Sequence, residues 1–146
     1  MLVNCLNTGK VISTRTSTEP AVGGIVGNVE GVTSGKTHQI KNCLNAGEVV
    51  ASGTNRIGAV IGFGNKKISL TAVYTTNNIT LNGSASLGTV TVTGLGSGTT
   101  GVTGTPSVIS LPTDIQATLS ALNEGGNNWK VKNGQLVLTS FQDLVK

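Results

Sequence analysis

The 146-residue sequence predicts an all-β chain: a short stack of β-solenoid-like repeats with a small C-terminal helix and β-hairpin as its cap. Three observations carry that expectation. Asn4-Cys5-Leu6-Asn7-Thr8-Gly9-Lys10-Val11 recurs as Asn42-Cys43-Leu44-Asn45-Ala46-Gly47-Glu48-Val49, an offset of 38. Gly23-Gly24-Ile25-Val26-Gly27 recurs as Gly58-Ala59-Val60-Ile61-Gly62, an offset of 35. No helical i, i+3, i+4 stripe of apolar residues occurs over residues 1–79.

Taken along the chain, residues 1–79 divide into three units. The first two keep the same order: the N-C-L-N-x-G-x-V block, a polar loop, then the glycine-flanked block. The three-residue difference in offset falls in the loop, where insertions cost little. A third, drifted copy lies 30 residues on, where Ala72-Val73-Tyr74-Thr75-Thr76-Asn77-Asn78-Ile79 overlies residues 42–49. There Val73 takes the place of Cys43. Asn77 replaces Gly47, the expected substitute if that position is left-handed. Short apolar pairs such as Ile25-Val26 cannot bury themselves within one unit, so neighbouring units must stack into a continuous core.

Residues 80–111 are rich in Thr, Gly and Ser. Leu87–Leu95 alternates as a strand does, with Val90 and Val92 on one face and Thr91 and Thr93 on the other. Gly94–Thr105 reads as a loop, and Val108-Ile109 as a further strand. The region 112–146 holds the cap. A helix is expected over 113–124, with Thr113 as N-cap and Gln116 completing a capping box. Ile115, Leu119 and Leu122 form its apolar face, and Gly125-Gly126 end it. Asn133-Gly134 then sits between alternating runs, a strong hairpin signal that pairs Trp129 with Leu138 and Val131 with Leu136.

Composition excludes several function classes. Hydrophobic residues make up 37% and 21 glycines join them, so a folded domain is expected. No apolar run reaches the 18 or so residues of a membrane span. The net charge of +4 is spread from Lys10 to Lys146, and only one Trp, one Tyr and two Phe accompany it. A nucleic-acid surface gathers its cations and interleaves aromatic platforms, so none is expected. Neither a basic n-region nor an apolar h-region follows Met1. Because the chain opens inside a repeat, an uncapped β edge is implied. The expectation is a C-terminal part of a longer protein, with the parent chain upstream as a partner.

The paired blocks resemble the GLUG-motif repeats of bacterial secreted and cell-surface proteins. Gly24-Ile25-Val26-Gly27 matches the Gly-Leu-hydrophobic-Gly core, and residues 4–11 and 42–49 match its N-C-Y-N-x-G-x-V companion. Leu119–Leu138 is similar to a segment that often follows these repeats in gut Bacteroidetes proteins. Leu6 and Leu44 stand where the family has an aromatic, and Ala59 replaces a motif glycine. The resemblance implies an extracellular β-rich module of larger proteins, among them adhesin-like chains and immunoglobulin-cleaving proteases. It implies no catalytic residues.

Candidate chemistry is sparse. Gly31-Val-Thr-Ser-Gly35-Lys36-Thr37 falls one residue short of a phosphate-binding loop, and no helix follows it. Gly96-Ser-Gly98-Thr-Thr-Gly101 fits G-x-G-x-x-G, but Pro106 and the glycines around it cannot open the helix a dinucleotide needs. Cys5 and Cys43 occupy equivalent positions, and a spacing of two strands, about 9.5 Å, favours two free inward-facing thiols, with a disulfide as the minority alternative. His38 has no neighbouring ligand or nucleophile in sequence. The carboxylates Glu19, Glu30, Glu48, Asp114, Glu124 and Asp143 share no repeat position, unlike the clustered acids of a glycosidase. Asn4, Asn7, Asn42 and Asn45 read as turn formers bonded to local backbone rather than as a row of ligands.

No catalytic, cofactor-binding or metal site is therefore expected, and the chain is read as non-catalytic. Tyr74, Lys36 and Lys66 form the expected ligand surface, facing a host or glycan ligand, while Trp129 is expected inside the cap. The predicted function is a structural or adhesion module of a bacterial cell-surface or secreted protein. The alternative is an accessory domain of an extracellular protease or glycan-degrading enzyme, with carbohydrate binding as a weaker third reading.

Overall fold

The computed structural model describes residues 1–16, 21–30, 35–53, 56–83 and 94–139. Residues 87–93 of the expected strand, residues 31–34 of the phosphate-loop-like segment, Glu19 and Asp143 fall outside them. Described residues are mostly β, with one short helix.

The chain makes four successive passes. The first comprises β1 (Leu2–Val3), β2 (Leu6–Asn7), β3 (Val11–Ser13), β4 (Val22–Gly23) and β5 (Val26–Val29). The second comprises β6 (His38–Asn45), β7 (Val49–Ala51), β8 (Ile57–Gly58) and β9 (Ile61–Gly64). The third contributes β10 (Ile68–Thr75) and β11 (Ile79–Leu81), and the fourth β12 (Val102–Thr103) and β13 (Ser107–Val108).

Each strand of the first pass pairs in parallel with its counterpart in the second, β6 and β7 pair likewise with β10 and β11, and β10 pairs with β12 and β13. Leu6 aligns with Leu44, and Leu44 with Tyr74. Val11 aligns with Val49, and Val49 with Ile79. Val26 aligns with Ile61, which bridges to Leu95. The offsets of 38, 35 and 30 read from the sequence are thus the strand registers. The fourth pass was not legible as a repeat. Gly94–Thr105 is not a plain loop, because Leu95 continues the Ile61 column and Val102 pairs with Ile68. Among the described residues no sheet closes on itself, and four parallel sheets are separate.

One backbone feature sets which side chains meet. Asn4, Asn42 and Ala72 stand at equivalent positions with φ of 56°, 51° and 49°. A single left-handed residue resets the alternation of a strand. As a result Ile40 and Cys43, three apart, both enter the same interior cluster, as do Leu70 and Val73. Asn adopts this conformation readily, whereas Ala72 carries a steric cost of about 1 kcal/mol. The left-handed column is therefore Asn4/Asn42/Ala72; in the Gly9/Gly47/Asn77 column only Asn77 is left-handed, at φ 54°. Gly47 is a glycine for closeness, since a Cβ there would run into the Gly9 carbonyl.

Columns of like residues fill the interior. Leu2, Ile40 and Leu70 stack, as do Cys5, Cys43 and Val73, beside Val60, Ile61 and Leu95. Each fully buried aliphatic side chain contributes about 1.5–3 kcal/mol. A second interior, of Val22, Val49, Ala51 and Ile57, lies at the other corner of the passes.

The C-terminal elements are α1 (Ile115–Leu122) and the antiparallel pair β14 (Trp129–Lys132) and β15 (Gln135–Leu138). The hairpin register is as expected, with Trp129 opposite Leu138 and Val131 opposite Leu136. The helix is shorter than expected and no capping box forms. Asp114 is the N-cap residue and its side chain caps nothing. That carboxylate instead accepts the backbone N–H of Ser110 at 2.7 Å, while residues 111–114 form turns. At the other end Asn123 ties helix to hairpin, its amide bonding both the N–H and the carbonyl of Trp129.

The expected position of this unit is corrected. It does not simply close the end of the stack. Ile115, Leu122, Trp129 and Leu136 pack with Leu44, Leu6 and Tyr74, which are paired side by side on three successive passes. Outward-pointing Leu6, Leu44 and Tyr74 form an apolar stripe along the flank of the first sheet, and burying that stripe holds the unit there.

Candidate functional site

The polar centre of the stack is Asn45, which is 0% exposed. Its Oδ1 accepts from Asn7 Nδ2 at 2.8 Å and from the Gly47 N–H at 3.2 Å. Its Nδ2 donates to the carbonyls of Ala59 at 2.7 Å and Gly47 at 3.3 Å. One amide thereby closes its own turn, bonds the pass before it and crosses to the glycine-flanked block. Asn7 repeats the local part, with its Oδ1 accepting the Gly9 N–H at 3.0 Å. In the third pass Thr75, fully buried, does so with a hydroxyl that accepts the Asn77 N–H at 2.9 Å. Asn7 and Asn45 are thus local turn formers, as expected, and also two rungs of a ladder between passes, which corrects the reading of purely local bonds.

Cys5 and Cys43 are free, with Cys43 buried and Cys5 half-buried. The expected two-strand separation is wrong. The Leu44 N–H donates to the Cys5 carbonyl at 2.9 Å, so the two cysteines sit on directly paired strands, about 4.8 Å apart. Burial above all, outweighing hydrogen bonds with the backbone, pushes the Cys43 thiol up to about 12, with the neighbouring Cys5 thiol adding to the rise. A thiol so held is a packing group rather than a nucleophile at neutral pH.

On the outer surface Glu48 links three passes. It pairs with Lys10 at 2.7 Å and accepts the Thr80 hydroxyl. Hydrogen bonding from Lys10, then from Thr80, holds its carboxyl below the ordinary value. Arg56 lies over the Phe63 ring at 3.9 Å.

Of the residues expected to form a ligand surface, two come together. His38 pairs with Ile68, which places Lys36 and Lys66 at equivalent positions ahead of adjacent strands. Lys36 is exposed and Lys66 half-buried. Tyr74 is elsewhere, at the far end of β10, half-buried in the seam under the helix and hairpin. Desolvation, then the nearby Glu124 charge, raises its hydroxyl pKa. Trp129 is inside the unit at 2% exposure.

Two cavities border these features. One of about 540 Å³ opens between stack and hairpin, lined by Thr8, Ala46, Pro112, Asn133 and Gln135 among others, none of them charged. The other, of about 550 Å³, lies along the first pass beside Val11, Ile12, Arg15 and Asn28. Among the described residues no three His, Cys, Asp or Glu side chains gather into a metal-binding group, and no helix is long and apolar enough to cross a membrane.

Sequence reasoning missed Asn45 as a hub and Leu95 as the third rung of the Val26–Ile61 column. The signal for the second was present in Leu95-Gly96, which repeats the apolar-glycine step of Ile61-Gly62 and Val26-Gly27. Compared with protein-family models, curated proteins and solved structures, the chain has no significant match.

Proposed function

We propose that the chain is a non-catalytic module of a bacterial cell-surface or secreted protein, built as a short β-solenoid that serves as stalk or adhesion surface. The observation behind this reading is the in-register parallel pairing of successive passes, with its buried amide ladder from Asn7 to Asn45. Residues that would carry chemistry in an enzyme serve here to join one pass to the next: Cys43 packs, Asn45 bonds backbone and Glu48 pairs with Lys10. The resemblance of residues 4–11, 24–27 and 42–49 to GLUG-motif repeats adds the extracellular setting. A host or glycan ligand would meet the lysine pair Lys36 and Lys66 rather than Tyr74, which the hairpin unit covers.

The test is binding of the chain to arrays of glycans and host matrix proteins. The adhesion reading expects selective binding that the double variant Lys36→Glu, Lys66→Glu abolishes while leaving thermal unfolding unchanged. Binding that survives the double variant moves the ligand surface elsewhere. No binding by a folded chain leaves the stalk role alone, and turnover of a glycan or peptide in the same assay would sink the non-catalytic reading.

A further inference from the structure

The edge of the first pass carries features that, in every later pass, serve to receive the pass before it. Among the described residues β1 is terminal in the first sheet and β3 in the second, while β4 and β5 each have one neighbour. Three columns can be compared along the stack.

In the amide column, Asn45 Oδ1 accepts two hydrogen bonds, one from its own turn and one from Asn7 of the preceding pass. Asn7 Oδ1 makes the same turn bond to the Gly9 N–H and has one acceptor position left over. Nearby, Asn4 Oδ1 is buried without a hydrogen-bond partner, an arrangement native proteins seldom leave standing.

In the first glycine column, a Cβ on Gly47 would overlap the Gly9 carbonyl. On Gly9 the only atom within 4 Å, among the described residues, would be Asn7 Oδ1 at an ordinary 3.6 Å. In the second, a Cβ on Gly96 would overlap the Gly62 carbonyl, and on Gly62 it would meet the Gly27 carbonyl at 2.6 Å. On Gly27 it would meet only Ala21 O, at 3.1 Å. Gly47, Gly62 and Gly96 are thus glycines because a carbonyl of the preceding pass presses on them. Gly9 and Gly27 are glycines with no such carbonyl on them, and neither has the left-handed backbone that would call for one. The glycines Gly23 and Gly58 differ, since their own turns and the following pass crowd them.

We infer that the edge of the first pass is a docking face for one more pass of the same repeat. Its strand would lie parallel and in register on β1 and β2, with an asparagine donating to Asn7 Oδ1 and backbone carbonyls seated on Gly9 and Gly27. The pass-to-pass interface then continues unbroken, by the same contacts that join β2 to β6 and β5 to β9. The side chains that would be covered are the half-buried Leu2, Cys5, Ile25 and Val26, which already belong to the first interior cluster. This face follows from the pairings alone and stands whether or not the chain binds glycans.

The test is a chain in which a duplicate of residues 38–68 is fused directly ahead of Met1. Ile68 then precedes Met1 as it precedes Ser69, keeping the register in which Leu70, Ile40 and Leu2 align. Leu44 and Ala46 donate their N–H groups to Cys5 and Asn7 of the pass before, so the amides of Leu6 and Thr8 are the reporters. Docking should slow their hydrogen exchange by roughly tenfold or more and raise the unfolding midpoint by about 5 °C or more. Gly9→Ala should reverse both gains in the fused chain while leaving the unfused chain's midpoint nearly unchanged. Unchanged exchange at Leu6 and Thr8 on a folded fused chain, or gains that survive Gly9→Ala, would overturn the assignment. Concentration-dependent self-association of the unfused chain that Gly9→Ala abolishes would give the face to a second copy instead.

Discussion

Two thiols at one repeat position behave differently because of a few ångströms of burial. Cys5 is half-buried on the first pass, while Cys43 is enclosed by Ile40, Val73 and the glycine-flanked block. An alkylating reagent at pH 8 should therefore label Cys5 and leave Cys43 untouched until the chain unfolds, read by mass spectrometry of peptides. Equal rates in the folded chain would contradict the enclosed position. The same asymmetry fixes the sign of a pH effect. The unfolded Cys43 thiol titrates near 9.0 and the folded one near 12, so below pH 9 both forms are protonated and stability is unaffected. Between the two values the folded chain keeps a proton that the unfolded chain loses, and stability falls as pH rises. Cys43→Ala should flatten that alkaline decline.

At the scale of an element, the turn following β6 depends on one amide. Asn45→Ala removes a side chain that serves the Gly47 N–H, the Ala59 carbonyl and the Asn7 amide, all in or at the edge of the interior. Leaving such groups unpaired costs about 1–3 kcal/mol each, and a loss of roughly 2–4 kcal/mol in urea unfolding is expected. Asn45→Asp should be no better, because a carboxylate cannot donate to Ala59 O and Gly47 O. A variant within 0.5 kcal/mol of the parent, about the scatter of a surface change, would show the ladder to be incidental.

How far such elements can be read from letters is also visible here. The N-C-L-N-x-G-x-V blocks gave strand registers directly, because identical side chains in a parallel stack sit on one another. The hairpin was legible from Asn133-Gly134, since few other pairs take positive φ in succession, here 52° and 74°. Helix capping was not: the N-cap falls on Asp114 rather than Thr113, and its carboxylate bonds the Ser110 N–H instead of the helix. The left-handed column was misplaced because alanine stands in it at position 72, and alanine gives no hint of positive φ. Asn45 as a hub was illegible, since its Ala59 partner lies fourteen positions away across the interior.

For the molecule as a whole, the join between stack and hairpin unit rests on Leu6, Leu44 and Tyr74 against Ile115, Leu122, Trp129 and Leu136. Trp129 is the sole tryptophan, so its fluorescence reports on that join. Leu44→Ala opens the shared cluster and should cost about 2–5 kcal/mol, with Trp129 emission shifted to the red before global unfolding. Ile57→Ala, in the separate interior of Val22, Val49 and Ala51, should destabilise comparably with Trp129 emission unchanged in the folded state. If Leu44→Ala leaves the Trp129 transition where it was, the unit stands without the stack.

The variation in repeat offset also bears on length. Offsets of 38, 35, 30 and 34 residues all give the same paired registers, because the surplus goes into loops at the corners. The rise of the stack therefore counts passes and ignores residues: about 4.8 Å for each one, however long its loops. Duplication or deletion of a pass in such an architecture changes reach in fixed steps, as links change a chain. Loop sequence stays free to vary without altering the distance between whatever lies at either end.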